Sequence, residues 1–167
     1  NPHFLFNMLN NANILVKDAP DEASQILEKL DNLLRYQLND STRREVFLTA
    51  DIQFLTSFLE LEKVRRDHFE YTIFQEGNME NICIPPLFFI PFVENAVKHN
   101  LDSDNLSYVH LYFSVHNKQL TFRCENSKPR VPVKREGGIG LANVKRRLDL
   151  LYESRYTLQI EDKETTY

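Results

Sequence analysis

Apolar residues recur every three or four positions along the start of the chain, which predicts helices rather than strands. Over residues 4–17 they share one helical face, which consists of Phe4, Leu5, Met8, Leu9, Ala12, Leu15 and Val16. His3, Asn7 and Asn10 fall on the opposite, polar face. We therefore expect an amphipathic first helix on which His3 is exposed to solvent.

The same periodicity predicts two further helices. The second begins near Asp21, a suitable N-cap residue after Pro20, and its stripe has the spacing of helices packed in a bundle. That stripe consists of Ala23, Ile26, Leu27, Leu30, Leu33, Leu34 and Gln37. The third helix runs from about Thr49 to Arg66, and the polar stretch 39–44 before it is typical of a hinge between domains.

After Asp67 the apolar residues alternate with polar ones, which predicts strands. We expect strands at residues 69–74, 82–84, 109–115, 120–124 and 156–160, with residues 116–119 closing an antiparallel hairpin. Helices are expected over residues 87–99 and 141–151, and the segment 126–139 is typical of a mobile loop. This order of elements predicts a helical hairpin followed by an α+β sandwich.

Composition narrows the classes of protein to consider. The 167 residues carry a net charge of −4, which argues against a general nucleic-acid binder. Cys83 and Cys124 show no metal-ligand spacing, which favours a reducing compartment and no structural metal. No run of roughly 18 apolar residues occurs, so no membrane span is predicted. The start at Asn1 without a methionine indicates an excised fragment.

The predicted helix over residues 87–99 has one polar face with candidate chemistry. Asn95, Lys98 and His99 are spaced to project together. The opposite, apolar face consists of Phe89, Val93, Ala96 and Val97. The Asn95 amide oxygen suits Mg²⁺, Lys98 can contact phosphate oxygens, and Glu94 could hold a water or orient its neighbours. The alternative is the ordinary solvated face of an amphipathic helix.

A glycine-rich bend at Gly137, Gly138 and Gly140 precedes the last predicted helix, which starts at Leu141. Such a bend lets backbone N–H groups and the positive end of the helix face an anion. Residues 145–147 add positive charge, although a charge run is usually a solvated face. No Gly-Lys-Ser/Thr follows and no parallel βαβ unit surrounds the bend, so neither a Walker A loop nor a dinucleotide fingerprint is predicted.

His3 is a candidate phosphoryl acceptor. Imidazole titrates close to neutral pH, so an exposed histidine offers a neutral nitrogen that can attack a γ-phosphate. A surface histidine without a role is the plain alternative.

Five segments, taken in order, resemble the LytS/YehU-type sensor histidine kinases of the GHKL superfamily. Asn1-Pro2-His3-Phe4-Leu5-Phe6-Asn7 is similar to the phosphoacceptor signature of that family nearly letter for letter. Residues 34–36 and 58–65 resemble its next two landmarks, residues 84–99 its N box, and residues 138–144 its second glycine box. Five coincident motifs in the right order are far more specific than any one of them.

The resemblance implies a fold and an activity. Residues 1–44 would form a helical hairpin for dimerisation and histidine phosphotransfer, and residues 45–167 a Bergerat-type ATP-binding domain whose last strand is cut short. ATP would phosphorylate His3, with Mg²⁺ held by Asn95 and with Glu94 as a candidate general base. The implied nucleotide site consists of Asn95, Lys98, His99, Asn126, Gly138, Gly140 and Leu141.

The resemblance also implies partners. The phosphoryl group would pass to an aspartate of a response regulator, and two copies would pair through the N-terminal helices as a four-helix bundle. The chain would be the cytoplasmic portion of a membrane sensor, whose spanning segments lie upstream of Asn1. No nucleic acid is expected as a partner.

Three positions depart from the family pattern. Asn126 stands where an adenine-binding aspartate is usual, and Lys128 stands at a glycine position. Because a neutral hydrogen bond is weaker than a charge-assisted one, these changes predict either weak ATP binding or a rearranged lid. Phe4, rather than an acidic residue, follows His3.

Two alternatives to an active kinase remain open. A catalytically weak or degenerate kinase module that relays signals as a dimer is favoured by the altered adenine box. Another GHKL ATPase, such as a chaperone or DNA-repair enzyme, is disfavoured by the net charge of −4, the short length and the His3 signature.

Overall fold

The computed structural model describes residues 2–100, 105–129, 139–163 and 166. The chain forms two compact units, of which the first contains residues 1–69 and 78–88 and the second residues 70–77 and 89–167. Helices dominate the first unit and a sheet with two helices the second, which confirms the predicted α+β class with an N-terminal helical hairpin. The proposed functional boundary between residues 44 and 45 stays a prediction.

The first unit is built on three helices and a two-stranded ladder. Its elements are α1 (Pro2–Leu15), α2 (Pro20–Arg35), a π-helical turn (Tyr36–Asp40), β1 (Val46–Phe47), α3 (Leu48–Arg65) and β3 (Cys83–Ile84). Helix α2 packs against both α1 and α3, and its buried residues are Ala23, Ile26, Leu30 and Leu33. The hairpin therefore has the apolar interior that the 3.6-residue period predicts.

The start of α2 differs from the prediction of an N-cap at Asp21. Ala19 occupies the N-cap position without a side-chain hydrogen bond, and Pro20 lies in the first turn. Proline removes one of the unsatisfied N–H groups of the first turn, and its fixed φ suits the start of a helix. Asp21 instead lies in the first turn, where a negative charge is favourable beside the positive end of the helix dipole.

The predicted hinge at residues 39–44 is wrong in its first part. The helix continues past Arg35 as the π-helical turn Tyr36–Asp40, and turns and bends follow before β1 begins at Val46. β1 pairs antiparallel with β3, and the Leu48 N–H donates to the Ile82 carbonyl at 2.8 Å. β3 lies within the strand predicted at residues 82–84, whereas β1, two residues long, was not predicted.

The second unit contains a three-stranded sheet and two helices. Its elements are β2 (Phe69–Glu76), α4 (Ile90–His99), β4 (Ser107–His116), β5 (Gln119–Asn126) and α5 (Ile139–Tyr152), with strands in the order β2-β4-β5. Alternate residues of β4 point to the interior, and Val109, Leu111 and Phe113 are fully buried. This alternation is what a sheet with one covered face requires.

The β4–β5 hairpin is tighter than the predicted four-residue loop. The strands extend to His116 and Gln119, which pair with one another, so that Asn117 and Lys118 form the whole turn. Both residues have positive φ, of 50° and 63°. Two consecutive left-handed residues give a turn whose twist matches that of the flanking strands.

Two other predictions differ from the structure. α4 begins at Ile90 rather than at residue 87, because Leu87 has a φ of 54°, outside the helical region. Residues 156–160 form no strand, and the Tyr156 hydroxyl instead donates to Asp149. Of the predicted mobile loop, residues 130–138 lie outside the described residues.

Candidate functional site

Helix α4 is held in place by its apolar face. It packs against β4, β5 and α5, and Val93, Ala96 and Val97 are buried as the sequence predicts. Phe122 of β5 lies 4.4 Å from Phe89 and 5.7 Å from Phe92 between ring centroids. Such closely spaced rings stabilise the contact beyond their buried area, so the polar face of α4 is fixed in direction.

The polar face of α4 carries the predicted ligands. Asn95 and His99 are half-buried, and Glu94 and Lys98 are exposed. Although the Glu94 side chain as a whole is exposed, partial burial raises the pKa of its carboxyl above the ordinary value. A carboxyl with a raised pKa is a better proton acceptor near neutral pH than an ordinary one, provided that it is ionised.

The ends of α4 and β5 meet at the backbone of Tyr108. The Tyr108 carbonyl accepts from the Asn100 side-chain amide at 3.0 Å and from the Ser127 backbone N–H at 3.1 Å. In return, the Tyr108 N–H donates to the Ser127 hydroxyl at 2.9 Å. These bonds bring the C-terminal end of the helix that carries Asn95 to the end of the strand that carries Asn126.

Asn126, the predicted adenine acceptor, is the last residue of β5 and is buried. Its side-chain Nδ2 donates to the Ser127 carbonyl at 2.8 Å, which fixes the direction of the amide. An amide held by its nitrogen has its oxygen available in a defined orientation as an acceptor.

Lys128, which stands at a glycine position of the family pattern, is tied to the chain after α5. Its ammonium forms an ion pair with Asp162 and donates to the Lys163 carbonyl. Ser127 also pairs with Thr166 as an isolated antiparallel bridge. Lys128, in place of the glycine of the family pattern, therefore bonds the segment after α5 to the end of β5.

The structure describes only part of the second glycine box, residues 138–144. Gly138 lies outside the described residues, whereas the backbone at Gly140 and Leu141 belongs to the first turn of α5. α5 packs against α4, with Val144 and Leu148 buried. The first turn of a helix offers unsatisfied backbone N–H groups, so this position suits an anion.

His3 lies in the first unit, on the exposed side of α1. The Asn7 side-chain amide lies 3.2 Å from the Nδ1 atom of His3, one helical turn away. Asn95 and Asn126 belong to the second unit. No single unit therefore contains both the predicted acceptor and the predicted nucleotide site.

The oxygen donors of the site decide whether it could hold Mg²⁺. The described residues contain no group of three or more His, Cys, Asp or Glu side chains that could hold a metal ion alone. Mg²⁺ bound with a nucleotide needs only one or two protein oxygens, since phosphate and water complete its shell. The Asn95 amide oxygen fits that smaller requirement.

Sequence reasoning missed the residues that position the site. Asn100, Tyr108 and Ser127 carry no catalytic motif, and a buried asparagine looks like an exposed one in a single sequence. One signal was available for Asn100, which directly follows the N-box segment and ends its helix. Asparagine is favoured where a helix stops and its side chain can bond to backbone.

Known proteins resemble the chain along nearly its whole length. Residues 1–69 match the histidine kinase family. The chain is 30% identical to the sensor protein LytS of Staphylococcus haemolyticus (strain JCSC1435) over 179 aligned residues, which cover 98% of the chain. It is 28% identical to the sensor histidine kinase BtsS of Escherichia coli (strain K12), with the whole chain covered.

The chain spans only 31% and 30% of these two relatives. Among solved structures, the catalytic domain of the histidine kinase ThkA is similar at a TM-score of 0.46 and 17% identity, covering 63% of this chain and 79% of that domain. Within the described residues, no helix has both the length and the apolar character to cross a membrane.

Proposed function

We propose, on the premise that this chain is a relative of the LytS-type sensor histidine kinases over nearly its whole length, that it is the ATP-dependent kinase core of a two-component sensor. One observation carries the proposal most directly. His3 is exposed on the polar face of α1, inside the segment that matches the histidine kinase family. An exposed imidazole on a regular helix is accessible to a nucleotide presented by another part of the protein.

The reaction is a phosphoryl transfer from ATP to His3. An imidazole nitrogen attacks the γ-phosphorus, the bond from that phosphorus to the β–γ bridging oxygen breaks, and ADP leaves. The imidazole proton passes to a base, for which Glu94 is the candidate because its raised pKa brings its proton affinity closer to that of imidazole. Positioning and charge neutralisation supply most of the catalysis in such transfers.

The second half-reaction consumes the phosphohistidine. A carboxylate oxygen of a response-regulator aspartate attacks the phosphorus, the nitrogen–phosphorus bond breaks, and the imidazole of His3 is regenerated. The exposure of His3 on α1 suits this step, because a second protein must reach the same nitrogen.

The nucleotide site combines residues from α4, β5 and α5. Asn126 would accept from the adenine amino group, Lys98 and His99 would contact phosphate oxygens, and Gly138, Gly140 and Leu141 would present backbone N–H groups to them. Support comes from the fixed direction of the Asn126 amide and from the packing of α5 against α4.

Asn95 would hold Mg²⁺ through its amide oxygen. When bound, the ion neutralises negative charge on the phosphate oxygens and orients the transferred group. The half-buried position of Asn95 on the polar face of α4 supports this assignment.

A second copy of the chain is the proposed partner of the hairpin. Helix α2 and the π-helical turn leave Leu27, Leu34 and Leu38 exposed. These positions are spaced by seven and four residues, the spacing of a seam between paired helices. A homodimer through the N-terminal helices would bury this stripe.

The runner-up is a degenerate kinase module that relays conformation as a dimer. Lys128 favours it, because the ion pair with Asp162 occupies a position at which the family has a flexible glycine. The presence of His3, Asn95 and Lys98 opposes it.

Calorimetric titration of ATP into the protein, with and without Mg²⁺, tests the proposal. The parent should bind ATP in a Mg²⁺-dependent manner, and Asn95→Ala should lose that dependence while remaining folded. Asn32→Ala, the same substitution at an exposed position of α2, is the matched control and should bind as the parent does. Absence of binding at millimolar ATP would favour the relay module.

A further inference from the structure

The hydroxyl of Tyr36 is buried at the junction between the hairpin and α3. It donates to the Oδ1 atom of Asp51 at 2.5 Å, and the two residues are only 6% and 0% exposed. The Tyr36 ring stacks on Phe54, with centroids 4.7 Å apart. A buried hydrogen bond to a carboxylate is stronger than one between neutral groups, so the position of Tyr36 is firmly held.

A third segment is bonded to the same hydroxyl. The backbone N–H of Leu87 donates to the Tyr36 oxygen. Leu87 has a φ of 54°, a left-handed conformation that leucine adopts only where its surroundings require it. Leu87 lies three residues before the first residue of α4, Ile90.

One phenol oxygen therefore joins three parts of the chain: the end of the hairpin, the first turn of α3 and the loop that leads into α4. Burial, followed by the hydrogen bond and charge of Asp51, raises the pKa of Tyr36. The hydroxyl consequently stays protonated, and able to donate to Asp51, throughout the neutral range.

The backbone around Tyr36 has an unusual form. Tyr36 is the first residue of the π-helical turn that ends the hairpin. Short π-helical segments are rare and occur frequently at functional sites.

We propose that Tyr36 is a positioning residue that transmits the conformation of the phosphoacceptor hairpin to the loop before α4. Contact of its hydroxyl with Asp51 and Leu87 holds the loop in the conformation from which α4 starts. The inference rests on the proposed function, because α4 carries the predicted nucleotide ligands. The contact itself can be measured without nucleotide.

Hydrogen exchange in the absence of nucleotide tests this contact. Tyr36→Phe keeps the ring and removes the hydroxyl, and should speed exchange of the backbone amides in residues 87–93 by about tenfold, the change expected for loss of one hydrogen bond. Amides of β4 and β5 should keep their parental rates. Tyr112→Phe, the same deletion on the sheet, is the control and should leave residues 87–93 unchanged.

A rescue experiment separates positioning from packing. Tyr36→Phe should weaken Mg-ATP binding severalfold. Addition of Leu87→Gly should restore part of the affinity, because glycine adopts positive φ without the help of Tyr36. A defect due only to a loosened hairpin would not respond to a change at Leu87.

Each outcome decides a different claim. Parental exchange at residues 87–93 in a folded Tyr36→Phe protein would overturn the role of Tyr36, and so would faster exchange spread evenly over the whole protein. A parent protein that binds no Mg-ATP would overturn the proposed function, while the exchange measurement would still decide whether Tyr36 holds the loop.

Discussion

The side-chain amide of Asn100 donates to the backbone carbonyl of Tyr108 across 3.0 Å, and Asn100 is fully buried. Asn100 directly follows α4, and Tyr108 is the second residue of β4. Because Ser127 bonds to the same carbonyl, Asn100 helps to hold the end of the N-box helix at the end of the strand with Asn126. Asn100, which follows the predicted ligand His99 in sequence, thus makes a structural contact.

Asn100→Ala should lower the free energy of unfolding by about 1–3 kcal/mol, because a buried hydrogen bond is lost and a cavity replaces the amide. Urea denaturation measures this change. Asn32→Ala on the exposed side of α2 is the control and should stay within about 0.5 kcal/mol of the parent. Equal stability of the two variants would show that the Asn100 bond contributes nothing.

Gly77→Ala should be destabilising by more than about 1 kcal/mol. Gly77 has a φ of 87°, and a Cβ there would lie 2.3 Å from the Val115 carbonyl oxygen. Lys118→Gly is the reverse substitution at another residue of positive φ, since Lys118 has a φ of 63° although it carries a side chain. Thermal unfolding should rank Lys118→Gly above Gly77→Ala, and the reverse order would contradict the strain assigned to Gly77.

Cys124 should react far more slowly with an alkylating reagent than Cys83. Burial raises the pKa of the Cys124 thiol to about 12, whereas Cys83 is exposed. Since the thiolate is the reactive species, mass spectrometry of peptides after brief treatment at neutral pH should find label at Cys83 first. Equal labelling of the two would contradict the burial of Cys124.

The same shift gives a pH dependence of stability. The folded pKa of Cys124 lies above the ordinary value of 9.0, so the native state holds this proton more tightly than the unfolded chain does. The resulting stabilisation is present below about pH 9 and should be lost as pH rises to about 12. Between about pH 9 and pH 12, the free energy of unfolding should fall less for Cys124→Ala than for the parent, which urea denaturation at each pH measures.

Leu27→Glu should shift the protein from dimer towards monomer in analytical ultracentrifugation, because it places a charge in the exposed stripe of α2. Leu150→Glu is the control, since Leu150 is 77% exposed and belongs to a different helix, α5. A dimer that survives Leu27→Glu unchanged would place the interface elsewhere.

Local periodicity explains which parts of the fold could be predicted. The faces of α1 and α4 follow from the spacing of apolar residues, and Met8, Ala12, Val93 and Ala96 are buried as expected. The strand predicted at residues 156–160 has an alternating pattern but no ladder partner in the part of the chain that the structure describes. An alternating sequence pattern indicates which side of a strand would be apolar. A strand forms, however, only where a neighbouring strand supplies hydrogen-bond partners and packing.

Other features depend on contacts between distant residues. The π-helical turn at Tyr36 accompanies a bond to Asp51, fifteen residues away in sequence. The hairpin turn was predicted too long because Asn117-Lys118 lacks the glycine that usually marks a two-residue loop. The predicted site residues were assigned by resemblance, and their roles stay predictions until nucleotide binding is measured.

Formation of phosphohistidine on His3 tests the central claim most directly. The protein is incubated with Mg-ATP labelled in the γ-phosphate, next to His3→Gln and Asn95→Ala. The account predicts acid-labile, alkali-stable label on the parent, none on His3→Gln although it still binds Mg-ATP, and none on Asn95→Ala. Label that persists on His3→Gln, or a parent that binds Mg-ATP and never becomes labelled, would contradict the assignment of His3 as the phosphoryl acceptor.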